Sequence, residues 1–310
     1  MRVFVAGASG ALGRPLLPQL RAAGHTVFGM TRREEAAEAI RAAGAEAVVC
    51  DVYDADALRG AVVAAKPDAV IHVLTALPQK FKPREDYLAA TNRVRTEGTR
   101  NLIAAAQAAG AKRLLAESVA FFYEPTGGWV KDENAPLMSE PSGRFKAGAA
   151  ALKDLEGQVL GAAGIEGLVL RLGWLYGAGT YYASDGTMAE ETRRRRNPIV
   201  GAGTGTFSFL HVEDAAAAFV AALQRGGHGV YNVVDDEPAR LSEWLPVYAR
   251  ALGAKPPRRV PAWLAGLLAG RDLARSALVL RGATNGKAKR ELGWAPSHPS
   301  WRRGFADSLG

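Results

Sequence analysis

Three glycines directly after the first predicted strand constrain the fold of this chain more than any other feature. The apolar run Arg2–Ala6 predicts a strand, and Gly7, Gly10 and Gly13 follow it where helical spacing begins. In this context the first glycine permits a tight turn, the second lets the backbone approach a pyrophosphate, and the third lets the helix pack closely on the strand. The helix N-terminus also offers N–H groups and a partial positive charge to phosphates. We therefore expect this loop to bind a dinucleotide.

Short apolar runs separated by helix-length segments follow this loop through the first half of the chain. The runs that predict further strands are 26–30, 47–50, 69–74, 113–116 and 167–172. Strands this short and apolar, joined by helices, indicate a parallel sheet covered on both faces, and right-handed crossovers make such a sheet doubly wound. The predicted fold class is therefore α/β, a Rossmann-type doubly wound parallel sheet.

The alternation of strands and helices loosens after Gly173, where Gly and Tyr residues interrupt the segment from Trp174 to Tyr182. We expect residues 1–173 to form the dinucleotide-binding domain and residues 174–310 to form a smaller C-terminal α/β lobe that binds the substrate. This division leaves open the return of later segments to the first domain.

Composition argues against several classes of function. The net charge is +8, but the one dense basic run, 193–196, lacks interleaved aromatic residues, so we expect no nucleic-acid partner. That run is interpreted as a solvated helix face or a site for an anionic group. The five histidines show no metal-ligand spacing and the single cysteine, Cys50, lies in an apolar run, so no metal is expected. No apolar run reaches the roughly 20 residues that span a bilayer, and no secretory signal is visible, which predicts a cytoplasmic protein without membrane contact.

The end of the second predicted strand decides between the two nicotinamide cofactors. An NAD site usually offers an acid there to hold the ribose 2′-hydroxyl. This strand instead ends in Arg32 and Arg33, with no acid before Glu34. Arginine pairs with a 2′-phosphate through charge-assisted hydrogen bonds, and Arg14 in the glycine loop is placed to reach the same group. We predict NADP as the cofactor and keep NAD as the alternative.

Short motifs recur along the chain in a specific order and spacing. They stand at 7–13, 51–52, 70–76, 92 with 98–102, 171–177, 211–214, 231–233 and 291–294. In this arrangement the chain resembles the extended short-chain dehydrogenase/reductases, also called the NAD-dependent epimerase/dehydratase family. The resemblance covers nearly the whole chain.

The resemblance implies roles for residues around the cofactor. Asp51 would accept a hydrogen bond from the adenine amine, beside Val52. Residues 74–76 would line the pyrophosphate and ribose, and Asn92 would support the cofactor side of the active site. The complete predicted cofactor site comprises Gly7, Ser9, Gly10, Ala11, Leu12, Gly13, Arg14, Thr31, Arg32, Arg33, Asp51, Val52, Leu74, Thr75, Ala76 and Asn92.

The resemblance breaks at the catalytic residues. Similar enzymes place a Ser or Thr after the fifth strand and Tyr-x-x-x-Lys on the next helix, where lysine lowers the pKa of the tyrosine that exchanges the proton. Ser118 is present, but Phe145 stands at the tyrosine position and Ala149 at the lysine position. No tyrosine lies close enough to restore the pair by a shifted alignment. We expect Ser118, Tyr176 and Lys153 to form the catalytic set instead.

Three functions are compatible with these features. The leading hypothesis is NADPH-dependent reduction of a small carbonyl or sugar-like substrate. The alternatives are an epimerase or dehydratase that retains its cofactor, and a non-catalytic dinucleotide-sensing regulator, which the missing Tyr–Lys pair would explain. The partner is expected to be a small-molecule substrate, and the long segments 85–109 and 145–163 are candidates for a homodimer interface.

Overall fold

The computed structural model describes residues 1–77, 88–139, 143 and 145–309. Its strands are β1 Arg2–Ala6, β2 Thr26–Thr31, β3 Glu46–Val49, β4 Ala69–His72, β5 Arg113–Val119, β6 Val130–Lys131, β7 Glu166–Leu172, β8 Trp174–Tyr176, β9 Ile199–Val200, β10 Thr206–Phe207, β11 Phe209–His211, β12 Gly229–Val233, β13 Ala239–Arg240, β14 Arg259–Val260 and β15 Gly282–Ala283.

The helices connect and cover these strands. They are α1 Gly13–Ala22, α2 Glu34–Ala42, α3 Ala55–Ala65, α4 Ala89–Arg93, α5 Thr99–Ala108, α6 Phe145–Leu160, α7 Thr187–Arg193, α8 Val212–Arg225, α9 Leu241–Ala251, α10 Ala262–Ala269, α11 Arg271–Val279 and α12 Trp301–Leu309, with π-helical turns at Val94–Gly98 and Ala288–Leu292. None of the described helices is long and apolar enough to cross a membrane.

Seven strands form one parallel sheet in the order β3-β2-β1-β4-β5-β7-β12. The strand order reverses at β1 and β4, which pair directly with each other. Because all strands run in the same direction, their carboxyl ends share one edge, and ligands of such sheets bind in the crevice at that edge where the order reverses. The predicted Rossmann-type α/β fold is therefore confirmed.

Both faces of the sheet are covered by apolar side chains. Along β1, Val3 and Val5 point into one core with Leu16 of α1 and Phe219 of α8. The alternate residues of β1 point into a second core that α3, α5 and α6 close from the other side. Burial on both faces explains why the strands read as continuous apolar runs in the sequence.

The chain returns to the main sheet after residue 173. Strand β12 pairs in parallel with β7, with Tyr231 opposite Leu170, and α8 packs against α1. Consequently β12, although it follows residue 173, belongs to the main sheet.

Most of the remaining C-terminal segments surround a further core, separate from the two that cover the sheet and here called the aromatic core. It contains Tyr176, Tyr182, Phe209, Trp244, Tyr248, Trp301 and Phe305, all of which are buried. Their rings meet largely edge to face, as between Phe209 and Phe305 at 5.1 Å, which is the arrangement that aromatic pairs prefer. This core forms a compact body beside the carboxyl edge of the sheet, reached from β7 through β8.

The helix predicted over residues 85–109 is interrupted. Within the described residues it begins at Ala89, passes through the π-helical turn Val94–Gly98 and continues as α5. Residues 85–87 lie outside the described part of the chain. Such π turns inside α-helices are frequent at functional sites, and this one begins just after Asn92 and Arg93.

Candidate functional site

Two of the three glycines in the loop after β1 stand at positions that have no room for a side chain. Gly7 has a φ of +103°, and a Cβ there would lie 2.5 Å from the carbonyl oxygen of Val73. A Cβ on Gly13 would lie 2.3 Å from the Gly7 oxygen. Gly10 is exposed at the opening of α1, where its backbone is accessible to a ligand. The loop is therefore a backbone cradle of the kind that fits a pyrophosphate.

Side chains of the loop fix its shape from both sides. The Ser9 hydroxyl lies 3.2 Å from that of Thr31 at the end of β2, and Thr31 is buried. Arg14 donates from Nε to the Ser9 carbonyl at 3.2 Å, and its side chain is exposed. Leu12 is buried beneath the loop and Ala11 is half-buried.

The two arginines at the end of β2 are exposed and have no ion pair within the described residues. Arg33 donates its backbone N–H to the Thr31 hydroxyl at 3.3 Å, which fixes the backbone between β2 and α2. The nearest acid in sequence, Glu34, lies 3.9 Å from Arg41. Arg32 and Arg33 thus present guanidinium groups that an anionic ligand can bind.

The loops after β3 and β4 complete the edge. Asp51 is exposed, and its Oδ1 accepts from the Tyr53 N–H at 3.0 Å, while Val52 is buried. After β4, Leu74 and Ala76 are half-buried and Thr75 is exposed. The fold thus brings the predicted cofactor residues from four strand ends to one edge of the sheet.

A neutral histidine holds the backbone after β4. The Leu74 N–H donates to His72 Nδ1 at 3.2 Å, so the ring proton is on Nε2, which faces the Thr99 hydroxyl at 3.0 Å. Burial lowers the pKa of His72 to about 4, and the charge of Arg95 acts in the same direction. His72 is therefore uncharged near neutral pH and acts as a structural clamp.

Asn92 carries a buried side-chain oxygen, Oδ1, without a hydrogen-bond partner among the described residues. This atom lies near α6, where a Cβ on Gly148 would be 3.9 Å away. A buried carbonyl oxygen without a donor is uncommon, and it points to a donor other than the described residues, such as a bound ligand. The preceding residue, Thr91, accepts a hydrogen bond from the Ala76 N–H at 3.2 Å, which brings this segment to the predicted cofactor site.

Ser118 lies within a buried hydrogen-bond network, and its side chain is only 3% exposed. Its hydroxyl donates to Glu156 Oε1 at 2.7 Å, and Glu156 forms a bidentate ion pair with Arg171 at 2.9 and 2.7 Å. Arg171 also donates to the Tyr123 hydroxyl, which in turn donates to Asn232 Oδ1 at 2.6 Å. The Ser118 hydroxyl therefore donates its hydrogen bond to a buried carboxylate inside the protein.

The three predicted catalytic residues lie in different environments. Tyr176 lies in the aromatic core with no exposed surface, and burial raises the pKa of its hydroxyl. Lys153 is exposed on the solvent face of α6, on a different side from buried Glu156. Because a proton donor must reach the substrate, these positions argue against the predicted catalytic roles of Tyr176 and Lys153.

A carboxyl group that the sequence reasoning missed lies at the carboxyl end of β5. Glu117 is half-buried, and burial raises its pKa to about 7, against the opposing effect of the Arg95 charge. A pKa near neutrality allows a group to exchange protons under physiological conditions. The sequence feature that could have identified Glu117 is an acidic residue that directly follows the apolar run of a central strand.

Half-buried aromatic rings lie at the same edge. The rings of Phe121 and Trp174 stack with centroids 4.1 Å apart and planes inclined by 15°. Phe122 meets Phe145, at the start of α6, edge to face at 6.4 Å. Phe145 therefore contributes an apolar ring at this edge, at the position where the resemblance predicts the missing tyrosine.

The fold also assembles a histidine pair that is distant in sequence. His211 and His298 stack at 3.9 Å, and with Glu213 their ligand atoms lie within 4.8 Å of one another. His211 Nδ1 accepts from the Glu213 N–H, and His298 Nδ1 lies 3.2 Å from Asp214. These contacts give both rings partners within the protein, and the absence of a metal remains a prediction.

A comparison with known proteins decides the family. The sequence model of the NAD dependent epimerase/dehydratase family matches residues 3–233 of this chain. This range includes the glycine loop and the whole seven-stranded sheet, apart from Arg2 at the start of β1. The chain belongs to the NAD dependent epimerase/dehydratase family. The resemblance found in the sequence is thereby confirmed.

Relatives within the NAD dependent epimerase/dehydratase family include reductases and epimerases. The chain is 46% identical over 307 residues to a 3-diazoavenalumate denitrifying reductase of Streptomyces sp., covering 98% of this chain and 99% of the relative. It is 28% identical over 325 residues to a 4-hydroxy-2-methyl-3-oxo-4-farnesyl-3,4-dihydroquinoline-1-oxide ketoreductase of Stigmatella aurantiaca, covering 95% and 92%. These relatives place the chain among NAD(P)-dependent oxidoreductases and epimerases.

Solved structures show the same fold. The UDP-glucose 4-epimerase of Thermus thermophilus in complex with NAD superposes with a TM-score of 0.72 at 21% identity, covering 100% of this chain and 98% of that one. Within this chain, the cradle formed by Gly7 and Gly13, and the Asn92 oxygen that lacks a partner among the described residues, fit a nicotinamide dinucleotide at the carboxyl edge of the sheet.

Proposed function

We propose that this protein is an NADPH-dependent reductase that transfers hydride to the nitrogen of a diazonium compound and releases dinitrogen. The main support is the 46% identity, over nearly the whole chain, to a denitrifying reductase of a diazo compound. The replacement of the Tyr–Lys pair by Phe145 and Ala149 provides a chemical reason for the same conclusion.

Reduction of a diazonium group makes different demands from reduction of a carbonyl. A carbonyl needs a hydride at carbon and a proton at oxygen, and the proton is what the Tyr–Lys pair supplies. A diazonium ion, R–N⁺≡N, takes one hydride at its terminal nitrogen to give R–N=N–H, which loses N₂ and leaves R–H. The two electrons of the hydride neutralise the positive charge, so the hydride transfer requires no proton from the protein. NADPH, when bound, supplies this hydride and leaves as NADP⁺.

The residues at the reaction edge suit this chemistry. Phe145 is half-buried at the start of α6 and has no proton to donate, and Ala149 is 3% exposed beneath it. Apolar rings there exclude water from the hydride path, which protects a reactive cation from hydrolysis. The glycine loop and the residues after β3 and β4 would hold the cofactor, and Asn92 would support its position.

Selectivity for NADPH belongs to the same proposal. Arg32 is the principal candidate to bind the 2′-phosphate, with Arg33 and Arg14 beside it. All three are exposed, and Arg32 and Arg33 have no ion pair within the described residues. Bidentate guanidinium–phosphate contacts are strong because both partners are charged.

A comparison of substrates tests the proposed reaction. Purified protein with NADPH would be given an arenediazonium salt, a ketone of similar size, and UDP-glucose, with an enzyme-free control because diazonium salts react spontaneously. We expect NADPH oxidation with release of one N₂ per NADPH from the diazonium salt, at a kcat/KM well above that for the ketone. Preference for the ketone would contradict the proposal and favour a carbonyl reductase, and turnover of UDP-glucose would favour an epimerase.

We further propose that the segments around the aromatic core, residues 174–310 without α8 and β12, form the substrate-binding lobe. Their position beside the carboxyl edge supports this division. A homodimer through the exposed faces of α5 and α6 is proposed as well, and sedimentation velocity of the purified protein tests it.

A further inference from the structure

Four aromatic side chains at the carboxyl edge form a group that we call the aromatic wall. It consists of Phe121, Phe122, Phe145 and Trp174. Phe121 and Phe122 follow β5 directly, and Trp174 begins β8 just after β7. Because β5 and β7 are paired at their ends, Val119 opposite Leu172, these rings are brought together over neighbouring strand ends.

The aromatic wall differs from the aromatic core in its exposure. Every ring of the core is buried, so packing accounts for it. Each residue of the wall is half-buried, and Trp174 joins the wall to the core by packing edge to face on Tyr182. Large apolar rings that remain accessible at a ligand-binding edge are typical of pockets that bind apolar or aromatic ligands.

The arrangement of the wall favours a flat ring. Phe121 stacks on Trp174 with planes inclined by 15°, while Phe122 and Phe145 are set edge to face at 73°. Because the Trp174 ring also meets Tyr182 and Phe207, a further flat ring would extend this stack on the side of Phe121. Such surfaces bind another ring by stacking or by edge contacts. The faces of these rings are also electron-rich, so they attract a positively charged ring system.

We propose that the aromatic wall binds the ring of a planar aromatic substrate, and so selects aromatic over saturated substrates. The inference rests on the reaction proposed above, because it names the substrate class for the same site. It assigns Phe121 and Phe145 a role in specificity, through direct contact with the substrate ring.

Binding of unreactive probes tests this inference independently of turnover. Calorimetric titration of the protein saturated with NADP⁺ would compare cinnamate with 3-cyclohexylpropanoate, which has a similar size and the same carboxylate. We expect cinnamate to bind more tightly, and Phe121→Leu and Phe145→Leu to weaken its binding by about three- to tenfold, the usual worth of one aromatic contact. Phe145→Tyr should retain the wild-type affinity because it keeps the ring. Trp263→Leu, which changes a ring that is 69% exposed on α10, is the matched control.

Two results would overturn the inference: equal affinity for the two probes, or cinnamate affinity within twofold of wild type in both leucine variants. Thermal unfolding of each variant shows whether it is folded. If the probes behave as expected while arenediazonium salts are not reduced, the proposed reaction fails and the aromatic site stands. If diazonium salts are reduced without aromatic selectivity, the reaction stands and the wall has no role in recognition.

Discussion

At the scale of single residues, the Ser118 hydroxyl donates a 2.7 Å hydrogen bond to Glu156, which is itself paired with Arg171 in the interior. We predict that Ser118→Ala lowers the free energy of unfolding by about 1.5–3 kcal/mol, because a hydrogen bond to a buried charge is lost. Turnover should change by less than about threefold, since the hydroxyl is not offered to substrate. Urea denaturation and steady-state kinetics measure the two effects, with exposed Ser184→Ala as the control. A loss of turnover of about a hundredfold without loss of stability would instead restore the catalytic role.

Arg32 decides cofactor choice in this account. Arg32→Ala should weaken NADPH binding about tenfold or more, because charge-assisted hydrogen bonds to the 2′-phosphate are lost, and should leave NADH binding nearly unchanged. Fluorescence titration with both cofactors measures this. Arg41→Ala, which changes an exposed arginine of α2 that lies 3.9 Å from Glu34, is the matched control. Equal effects on the two cofactors would show that Arg32 does not contact the 2′-phosphate.

At the scale of elements, the Glu156–Arg171 pair joins α6 to β7 in the interior, and Tyr123 and Asn232 extend the network to β12. Glu156→Gln should reduce the free energy of unfolding by about 3–5 kcal/mol, because the Arg171 charge would remain buried without its counterion. The exposed pair Arg194–Glu190 on α7 offers the comparison, since Glu190→Gln should cost less than about 1 kcal/mol. Similar losses at the two sites, measured by urea denaturation, would mean that the interior pair does not hold the elements together.

At the scale of the whole molecule, stability should depend on pH through carboxyl groups whose pKa is raised by burial, Glu117 to about 7 and Asp235 to about 8. Such groups lose their protons at lower pH in the unfolded chain than in the folded one. Their favourable contribution is therefore complete below the unfolded pKa and is lost as the pH rises through the folded pKa. Maximum stability is expected on the acidic side of neutrality.

Glu117→Gln isolates one of these groups. Relative to wild type, the variant should gain stability between about pH 5 and about pH 8, by an amount on the order of 2 kcal/mol, because it has no carboxylate to bury at the higher pH. Urea denaturation of both proteins at the two pH values measures the difference. A difference that does not change with pH would show that the Glu117 carboxyl titrates normally.

The sequence predicted the parts of this molecule that local patterns encode. The glycine loop and the parallel strands follow from backbone sterics and from continuous apolar runs, which are readable within a few residues. The partner of Ser118 was not predictable in this way, because Glu156 lies 38 residues away and meets it only after α6 packs on the sheet. The burial of Tyr176 likewise depends on Phe209 and Phe305, which arrive from distant segments. The raised pKa of Glu117 depends on the same tertiary packing.

The stoichiometry of the reaction tests the central proposal most directly. The protein would be incubated with an arenediazonium salt and NADPH, and the N₂, the arene and the NADP⁺ would be quantified against an enzyme-free control. We expect enzyme-dependent formation of one N₂ and one arene, with hydrogen in place of the diazonium group, for each NADP⁺. Oxidation of NADPH without N₂ release, or N₂ release without a matching amount of NADP⁺, would contradict hydride transfer to a diazonium group.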